Sequence, residues 1–431
     1  MALNLSSYKG TRDLYPEDMR LRNYVFDTWR MVVESFGYQE YAAPMLEPLE
    51  LYAAKSGQEI VNDQTYKFTD RGDREVAIRP EMTPSIARMV AARRQEMPMP
   101  ARLFSIANYM RYERPQKGRE REFWQLNFDL FGSNQVYADI EILSMSHSLI
   151  KAFGATDDMF TVKINDRRLT DFAMKDFLGL DDIQSLAMVK LFDRRDKISQ
   201  ESFSDQVAEI APDNAEQISS KVDQLLRVKS IDDLPVEIAN NAVTKPLKDT
   251  LDILASHGIT NAKFAPDLMR GFDYYTGIVF EIFDEAPENR RAMFGGGRYD
   301  GLIGLFGVED LPVVGAAPGE TMFIEFLKAH NLIPDLNNGV DVAVIPFIDA
   351  GEIADQLRSA GLNVAIDFTD RKTDKKIKAA VKAGIRYAIF VGEDELESGK
   401  YPLKNLVTGE ETKLEIEQIV ATVSKSRLYL L

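Results

Sequence analysis

The chain concentrates positive charge beside an aromatic residue in the stretch MRYERPQKGREREFWQ, from Met110 to Gln125. The cations of this stretch are Arg111, Arg114, Lys117, Arg119 and Arg121. Pro115 and Gly118 interrupt any helix, and strand-like runs on both sides predict a hairpin with a charged tip. Because a guanidinium fork matches phosphate and carboxylate oxygens, and an aromatic ring can stack on a base, this hairpin is a candidate nucleotide site.

The strand after the charged tip has two chemically different faces, because successive side chains of a strand point to opposite sides. Its apolar face consists of Trp124, Leu126, Phe128 and Leu130, and its other face consists of Phe123, Gln125, Asn127 and Asp129. The second face is suited to lining a polar pocket. Arg111 and Glu113 share a face of the opposing strand, so the hairpin can hold a nucleotide between this pair and Phe123. The alternative, a solvated charged surface, stays open here.

The composition limits the class of protein. A chain of 431 residues is expected to form two or three domains. Hydrophobic residues make up 45% of the chain and charged residues 28%, which is typical of a soluble globular protein, and no apolar run approaches the roughly 18 residues that cross a bilayer. Without cysteine the chain has no disulfides or thiolate metal sites, and its three scattered histidines argue against a zinc site or a Ser-His-Asp triad.

The net charge of −16 argues against indiscriminate nucleic-acid binding, although it allows a local basic patch. The N-terminal residues MALNLSSYKG contain no hydrophobic signal core. Together with the lack of cysteine, these features predict a cytoplasmic protein without membrane contact.

The order of patterns along the chain predicts its division into domains. Residues 1–167 mix a helix with strands, residues 168–262 are polar and helix-prone, and residues 263–330 return to strands. A linker at residues 331–338 follows. Residues 339–431 alternate strands and helices, which predicts a small α/β domain with βαβ units.

Several stretches resemble, in order, the motifs of class II aminoacyl-tRNA synthetases in their histidyl form. RYERPQKGREREFWQ resembles the second class II motif, and YQEYAAPMLEP resembles the first, with Pro44 at the dimer-interface proline. YKGTRDLYPED, IRPEMTPSIAR, MRGFDYYTG, GGGRYDGL and GEDELESGKYPLKNLVTGEE are similar to further family elements. The resemblance to histidyl-tRNA synthetases implies an α+β catalytic body on an antiparallel sheet, a helical insertion, a C-terminal α/β anticodon-binding domain, and a homodimer.

The resemblance also implies a two-step reaction. The carboxylate of L-histidine attacks the α-phosphate of ATP to give histidyl-adenylate and pyrophosphate, and a terminal ribose hydroxyl of tRNA(His) then takes the histidyl group. Mg²⁺ is expected with ATP, but its ligands cannot be assigned from the sequence. The implied catalytic residues are Arg111 and Arg270, two fixed cations directed at the charge that develops on the α-phosphate.

The family positions imply three further sets of contacts. The histidine set is Glu81, Thr83, Arg111, Gln125, Asp129, Arg270, Tyr274 and Tyr275. The ATP set is Arg111, Glu113, Phe123, Arg298 and Gly319. The tRNA set is Arg114, Lys117, Arg119, Arg121, Lys375 and Lys376. Neutral imidazole has one donor and one acceptor nitrogen, which Asp129 and Tyr275 are implied to satisfy.

Simpler interpretations of these residues stay open. Glu81 follows Pro80 and suits a helix N-terminus on electrostatic grounds alone. Arg270 has Asp267 and Asp273 nearby as ion-pair partners, the glycines at 295–297 fit a tight turn, and the lysines near Lys375 fit a solvated helix.

The third class II motif departs from the family pattern. It usually ends in Gly-x-Glu-Arg, with the arginine on the γ-phosphate, but in VVGAAPGETMFIEFL that position is Met322. Either another cation such as Arg298 serves the γ-phosphate, or ATP binds more weakly, or the chain is not catalytic.

These observations leave three hypotheses. The leading one is an active histidine–tRNA ligase. The main rival is the regulatory subunit of ATP phosphoribosyltransferase, which resembles the catalytic body alone, and the third is a non-catalytic protein that binds histidine or RNA. The C-terminal domain and Arg270 favour the ligase, whereas Met322 favours the rival.

Overall fold

A computed structural model of the chain describes residues 4–53, 63–116, 118–195, 198–268, 275–289, 291–336 and 339–428. The chain divides into two compact units. The first comprises Met1–Asp13 and Arg22–Ile333, and the second comprises Leu14–Leu21 and Pro334–Leu431.

The first unit is built on a large sheet. Its strands are β1 (Gln39–Glu40), β2 (Leu46–Pro48), β3 (Lys67–Thr69), β4 (Glu75–Ile78), β5 (Ala101–Met110), β6 (Glu122–Phe131), β7 (Phe160–Asp166), β8 (Ala262–Phe264), β9 (Ile278–Asp284), β10 (Ala292–Arg298) and β11 (Val313–Ala316). Among the described residues, eight strands form one sheet in the order β1-β5-β6-β11-β10-β9-β7-β8, and β2-β4-β3 form a small one. Only the edge pairs β1–β5 and β7–β8 of the large sheet are parallel. The predicted antiparallel catalytic sheet is confirmed, with parallel pairing at its two edges.

Helices precede and connect these strands along the chain. They are α1 (Pro16–Ser35), α2 (Leu49–Ala53), α3 (Thr83–Arg93), α4 (Val136–Lys151), α5 (Arg167–Phe172), α6 (Asp182–Asp193), α7 (Gln200–Ile210), α8 (Ala215–Arg227), α9 (Val236–Ala239), α10 (Lys245–Ser256) and α11 (Glu320–Ala329). The ring of Trp29 on α1 meets Phe323 on α11 edge-on at 5.2 Å. Phe26 lies 5.5 Å from Trp124 on β6. Since the apolar side of β6 is packed against helices, its polar side is left for the site.

The β5–β6 hairpin has the predicted form. Its register runs from Ala101 paired with Phe131 to Met110 paired with Glu122. The regular ladder ends at Met110 and is prolonged by the Arg111 N–H, which donates to the Arg121 carbonyl at 2.8 Å. The charged tip therefore lies beyond the end of the sheet.

A group of helices, α6 to α10, lies between β7 and β8 in the chain. The first of them begins with a capping box, in which the Asp181 side chain accepts from the Gln184 N–H at 2.8 Å and the Gln184 side chain accepts from the Asp181 N–H at 3.1 Å. A parallel strand pair requires a long crossover connection, and here the helical insertion provides it.

The second unit contains a sheet of its own. Its strands are β12 (Val342–Pro346), β13 (Val364–Ile366), β14 (Tyr387–Val391), β15 (Tyr401–Asn405) and β16 (Glu411–Leu414), and its helices are α12 (Gly351–Ser359), α13 (Thr373–Lys382), α14 (Glu393–Ser398) and α15 (Ile416–Leu428). The order is β13-β12-β14-β15-β16, with β13, β12 and β14 parallel. The predicted α/β domain is confirmed. None of the helices in the described ranges has the length and apolar character of a membrane span.

Candidate active site

Three glycines make room for three polar side chains on the open face of the sheet. Gly315 on β11 pairs with Asp129 on β6, and a Cβ at Gly315 would overlap the Asp129 carboxylate oxygen Oδ1. A Cβ at Gly297 would lie 2.9 Å from the Tyr275 ring, and one at Gly295 would lie 3.1 Å from Glu281 Cγ. The run of glycines is therefore a floor over which polar side chains lie flat, rather than a plain turn.

Asp129 is the most deeply placed acid of this floor. Its side chain is 6% exposed, and its Oδ1 atom accepts a hydrogen bond from the Tyr299 hydroxyl. Burial raises the pKa of Asp129 to about 7, although the bond from Tyr299 opposes that rise. The carboxyl group is thus held in one orientation and changes charge near neutral pH.

Tyr275 lies among carboxylates. Burial is the main cause that raises the pKa of the Tyr275 phenol, and the negative charges of Glu281, Glu81 and Asp129 raise it further. The phenol therefore stays protonated and can donate a hydrogen bond. Asp129 and Tyr275 are predicted to pair with the two imidazole nitrogens, and the charge of Asp129 acts on Tyr275. The charge of Glu81, the predicted partner of the substrate ammonium, also acts on Tyr275.

Arg111 and Phe123 meet at the hairpin end of the same face. The Arg111 guanidinium carbon lies 5.3 Å from the centre of the Phe123 ring, and Arg111 Nε donates to the carbonyl of Pro80 at 2.9 Å. Pro80 precedes Glu81, and Thr83 begins α3, so the guanidinium adjoins the predicted ammonium site.

The N-terminus of α11 borders the site at Gln125. Gln125 and Gly319 form an antiparallel bridge, and the Leu126 N–H donates to the Pro318 carbonyl at 3.0 Å. Gly319 is the N-cap of α11, and a Cβ there would meet no atom within 4 Å. Open space therefore lies between the predicted substrate strand and the start of this helix.

Two arginines of the charged tip have different positions. Arg119 is half-exposed and forms an ion pair with Glu113 at 2.8 Å. Arg119 is predicted to bind tRNA and Glu113 to bind ATP, so residues of these two sets contact each other here. Arg121 is only 8% exposed and lies 4.1 Å from the centre of the Tyr112 ring, with a hydrogen bond to the Tyr8 hydroxyl at 3.0 Å. In this conformation the structure does not present the Arg121 guanidinium to tRNA, because the aromatic rings bury it.

Arg298 also differs from its predicted role. It is 6% exposed, its Nε donates to Asp139 on α4 at 3.0 Å, and its Nη1 donates to the Ser133 carbonyl at 2.9 Å. These bonds hold the guanidinium between β10 and α4, so the expectation that Arg298 serves the γ-phosphate does not fit. Burial raises the pKa of Asp139, and the charge of Arg298 opposes that rise.

Met322, at the motif 3 arginine position, packs against the charged tip. A Cβ at Gly118 would overlap the Met322 sulfur, and Gly118 has φ +75°, a left-handed conformation that favours glycine. The tip therefore rests on a thioether where the family pattern has a guanidinium.

The remaining predicted residues fall into two groups. Lys117, Arg270 and Tyr274 lie outside the described residues. In the second unit Lys375 is exposed, whereas Lys376 is 9% exposed and its ammonium donates to the Asp367 carbonyl at 3.1 Å. In this conformation Lys376 connects α13 to the segment after β13 and does not present its ammonium to RNA.

A cavity of about 680 Å³ lies beside the site, between the helical insertion and the β7–β8 edge. Its walls include Lys163, Phe192, Leu225 and Phe264. Lys163 pairs across strands with Glu281, so the cavity adjoins the polar floor. None of the predicted site residues lines it.

Sequence reasoning missed two polar residues of this site. Tyr299 orients Asp129, and Glu281 lies over Gly295 beside Tyr275. A signal for Glu281 exists in the sequence, because IVFEIFD reads as a strand in which Glu281 interrupts the apolar run before the final Asp284. Tyr299 lies in GGGRYDGL, where nothing in the local pattern gives its hydroxyl a partner.

Comparison with known proteins decides the family. The family model described as "Histidyl-tRNA synthetase" matches residues 10–319, and the one described as "Anticodon binding domain" matches residues 341–426. The chain belongs to the histidyl-tRNA synthetase family. In that family, the floor described above is the part of the catalytic body that carries the second class II motif and the glycine run GGGRYDGL.

Two curated relatives and one solved structure illustrate the relationship. The chain is 43% identical to a histidine--tRNA ligase of Leptospira biflexa, with 94% of each chain covered. It is 37% identical to a histidine--tRNA ligase of Thermococcus kodakarensis, covering 97% of this chain and 98% of the relative. The crystal structure of histidyl-tRNA synthetase from Nostoc sp. PCC 7120 matches with a TM-score of 0.83 at 25% identity, covering 99% of this chain and 100% of that one.

No residues of this family member that the structure describes form a cluster of three or more His, Cys, Asp or Glu side chains able to hold a metal ion. The polar floor instead spaces Asp129, Glu81 and Glu281 around the Tyr275 phenol.

Proposed function

We propose that this protein is a histidine–tRNA ligase. It activates L-histidine with ATP, forms histidyl-adenylate with release of pyrophosphate, and transfers the histidyl group to tRNA(His) with release of AMP. The observation that carries the proposal is that Asp129 and Tyr275 share one face of the sheet with the Arg111–Phe123 pair. An imidazole site and a nucleotide site are thus adjacent, as joining histidine to ATP requires.

Recognition of the imidazole rests on a donor and an acceptor. The Tyr299 hydroxyl occupies Asp129 Oδ1, which leaves Oδ2 to accept the imidazole N–H, while the Tyr275 hydroxyl donates to the other ring nitrogen. Analogues that lack one of these groups leave a buried polar atom unpaired and are rejected by large factors. Glu81, Thr83 and Gln125 receive the ammonium, in line with their place beside Arg111.

Activation rests on Arg111. Its guanidinium is fixed by the Pro80 carbonyl, so it can bridge the histidine carboxylate and the α-phosphate without reorganising. Phe123 stacks on adenine. The Glu113 carboxylate accepts from the adenine amino group, either while still paired with Arg119 or after that ion pair opens. Arg270 is proposed to contact the α-phosphate from the opposite side. Mg²⁺ enters with ATP, bound chiefly by phosphate oxygens, and neutralises their charge.

The tRNA contacts are proposed for the exposed cations. Arg114 and Arg119 at the charged tip meet the acceptor end, with Lys117 between them in sequence. Lys375 on α13 contributes an exposed charge on the anticodon-binding domain. Each phosphate contact makes binding weaker as salt rises, because bound counterions are released.

A homodimer in the cytoplasm is proposed for the whole protein. The segment around Pro44 is exposed and carries apolar side chains, since Met45 is 43% and Leu46 is 44% exposed. Phe68 on the neighbouring small sheet is 50% exposed. A partner subunit that covers these side chains would bury an apolar edge of the catalytic body.

The test is exchange of labelled pyrophosphate into ATP. Exchange should require histidine and no other amino acid, and Arg270→Ala should lower its rate by at least about 100-fold, the effect of losing a fixed cation at developing charge. Absence of exchange at every histidine concentration would end the ligase proposal.

A further inference from the structure

The end of the site where ATP's outer phosphates would extend lacks a cation from α11. Met322 on this helix packs under Gly118, as described above. A triphosphate carries several negative charges, and positioning with charge stabilisation is nearly all that a protein contributes to phosphoryl chemistry. A positively charged side chain near this end could therefore supply the charge that Met322 lacks.

The arginines close to this helix in space are already engaged. Arg22 binds Glu320 through two hydrogen bonds of 3.0 Å, and Arg12 bridges Glu320 at 3.3 Å and Glu120 at 3.1 Å. Arg22 also lies 5.3 Å from the Trp124 ring, on the helix-covered face of the sheet. These arginines serve the back of the sheet and not its open face.

The hairpin between β9 and β10 brings a different arginine to the charged tip. β10 is antiparallel to β11, and β11 is antiparallel to β6, so the start of β10 lies at the same end of the sheet as the start of β6. Arg291 precedes β10, and its Nη2 donates to Gln116 Oε1 at 2.8 Å. Gln116 is two residues before Gly118, which contacts Met322.

Arg291 has the properties of a ligand-binding cation. Its side chain is exposed, and the amide of Gln116 is neutral, so this hydrogen bond orients the guanidinium without cancelling its charge. Arg119, by contrast, is paired with the carboxylate of Glu113, and Arg121 is buried between tyrosines. Charge that is both exposed and oriented at the tip is therefore found on Arg291.

We propose that Arg291 binds the β- and γ-phosphates of ATP, in the role that Met322 cannot fill. Gln116 is a positioning residue that holds the guanidinium over the tip until ATP arrives. The proposal rests on the proposed function, because it assumes that ATP binds at the Arg111–Phe123 end of the site.

The experiment measures pyrophosphate exchange and ATP binding for Arg291→Ala, Arg291→Lys and the wild type. Loss of a charged phosphate contact should raise the KM for ATP by about tenfold or more in Arg291→Ala, with a smaller rise in Arg291→Lys, which keeps the charge but loses the fork. The KM for histidine should stay within about twofold, as for a contact made to the nucleotide alone. The matched control is Arg93→Ala, which removes an arginine that is 76% exposed at the end of α3.

Three results would overturn the proposal. One is an unchanged KM for ATP in Arg291→Ala, and another is an equal rise for ATP and histidine, which indicates a structural role. The third is a loss confined to tRNA charging, which assigns Arg291 to the tRNA.

Calorimetric titration with ATP separates this inference from the ligase function. If the wild type binds ATP more tightly than Arg291→Ala does but shows no exchange, the ligase function is refuted and the ATP contact of Arg291 stands.

Discussion

Replacement of Gly315 by alanine tests the polar floor directly. The added Cβ would overlap Asp129 Oδ1 and lie 2.9 Å from Asp129 Cγ and 2.8 Å from the Phe128 carbonyl oxygen. The carbonyl belongs to the paired strand and cannot move far, so the Asp129 side chain must rotate away. Its hydrogen bond from Tyr299 would then be lost together with its proposed bond to the imidazole.

The expected size of the effect follows from these contacts. A hydrogen bond to a charged group contributes about 1.5–3 kcal/mol, which corresponds to a rise of about 10- to 150-fold in the KM for histidine. Overpacking should also lower the free energy of unfolding by about 1–3 kcal/mol. The KM for ATP should change little, because the altered strand position lies away from Arg111 and Phe123.

The assay is histidine-dependent pyrophosphate exchange with a thermal unfolding curve for each variant. Gly304→Ala is a suitable control, since a Cβ there meets its nearest atom, on Asp310, at an ordinary 3.5 Å. A Gly315→Ala protein that remains folded and keeps the wild-type KM for histidine would refute the reasoning that Asp129 binds the substrate from this floor.

Four further predictions concern charge. Burial raises the pKa of Asp129 from 3.8 to about 7, so between these pH values the folded protein holds a proton that the unfolded chain releases. The free energy of unfolding should therefore fall as pH rises from about 4 to 7. Denaturant titrations of Asp129→Asn should show a flatter slope. The KM for histidine should rise below pH 7 more steeply in the wild type than in Asp129→Asn, since the protonated acid no longer accepts the imidazole N–H, and parallel profiles would count against this. Arg121→Ala should lower the melting temperature by about 2–4 °C and impair adenylate formation and tRNA charging together. Arg114→Ala should impair tRNA charging alone. If instead Arg121→Ala impairs only charging, Arg121 contacts the tRNA. Lys375→Glu should weaken tRNA binding and its salt dependence without affecting exchange, and an effect on exchange would contradict its assignment.

The sequence predicted well whatever depends on neighbours along one strand. Alternation alone placed Phe123, Gln125 and Asp129 on one side of β6, and in the structure the Phe123 ring meets Arg111 while Trp124, on the opposite side, packs against Phe26 of α1. The proline and glycine of the charged tip likewise predicted where the hairpin turns. These features follow from local geometry, which the sequence carries directly.

The sequence could not predict side-chain partners that are distant in the chain. Arg121 bonds to Tyr8, 113 residues away, and Arg298 bonds to Asp139, 159 residues away. Nothing in the local pattern distinguishes these arginines from exposed ones, because burial of a guanidinium depends on which ring or acid the fold brings to it. Tyr299 reaches Asp129 across 170 residues for the same reason.

The helical insertion leaves and rejoins the sheet at two neighbouring parallel strands, β7 and β8, with Lys163 next to Lys263. Because both ends of the insertion are fixed at one edge of the sheet, helices can be added, removed or replaced there during evolution without shifting the register of β6, β10 or β11. The connection between β7 and β8 cannot be much shorter than about a dozen residues, because the chain must cross back over the sheet to join two parallel strands. Relatives can therefore differ widely in this appendage while keeping the same catalytic floor.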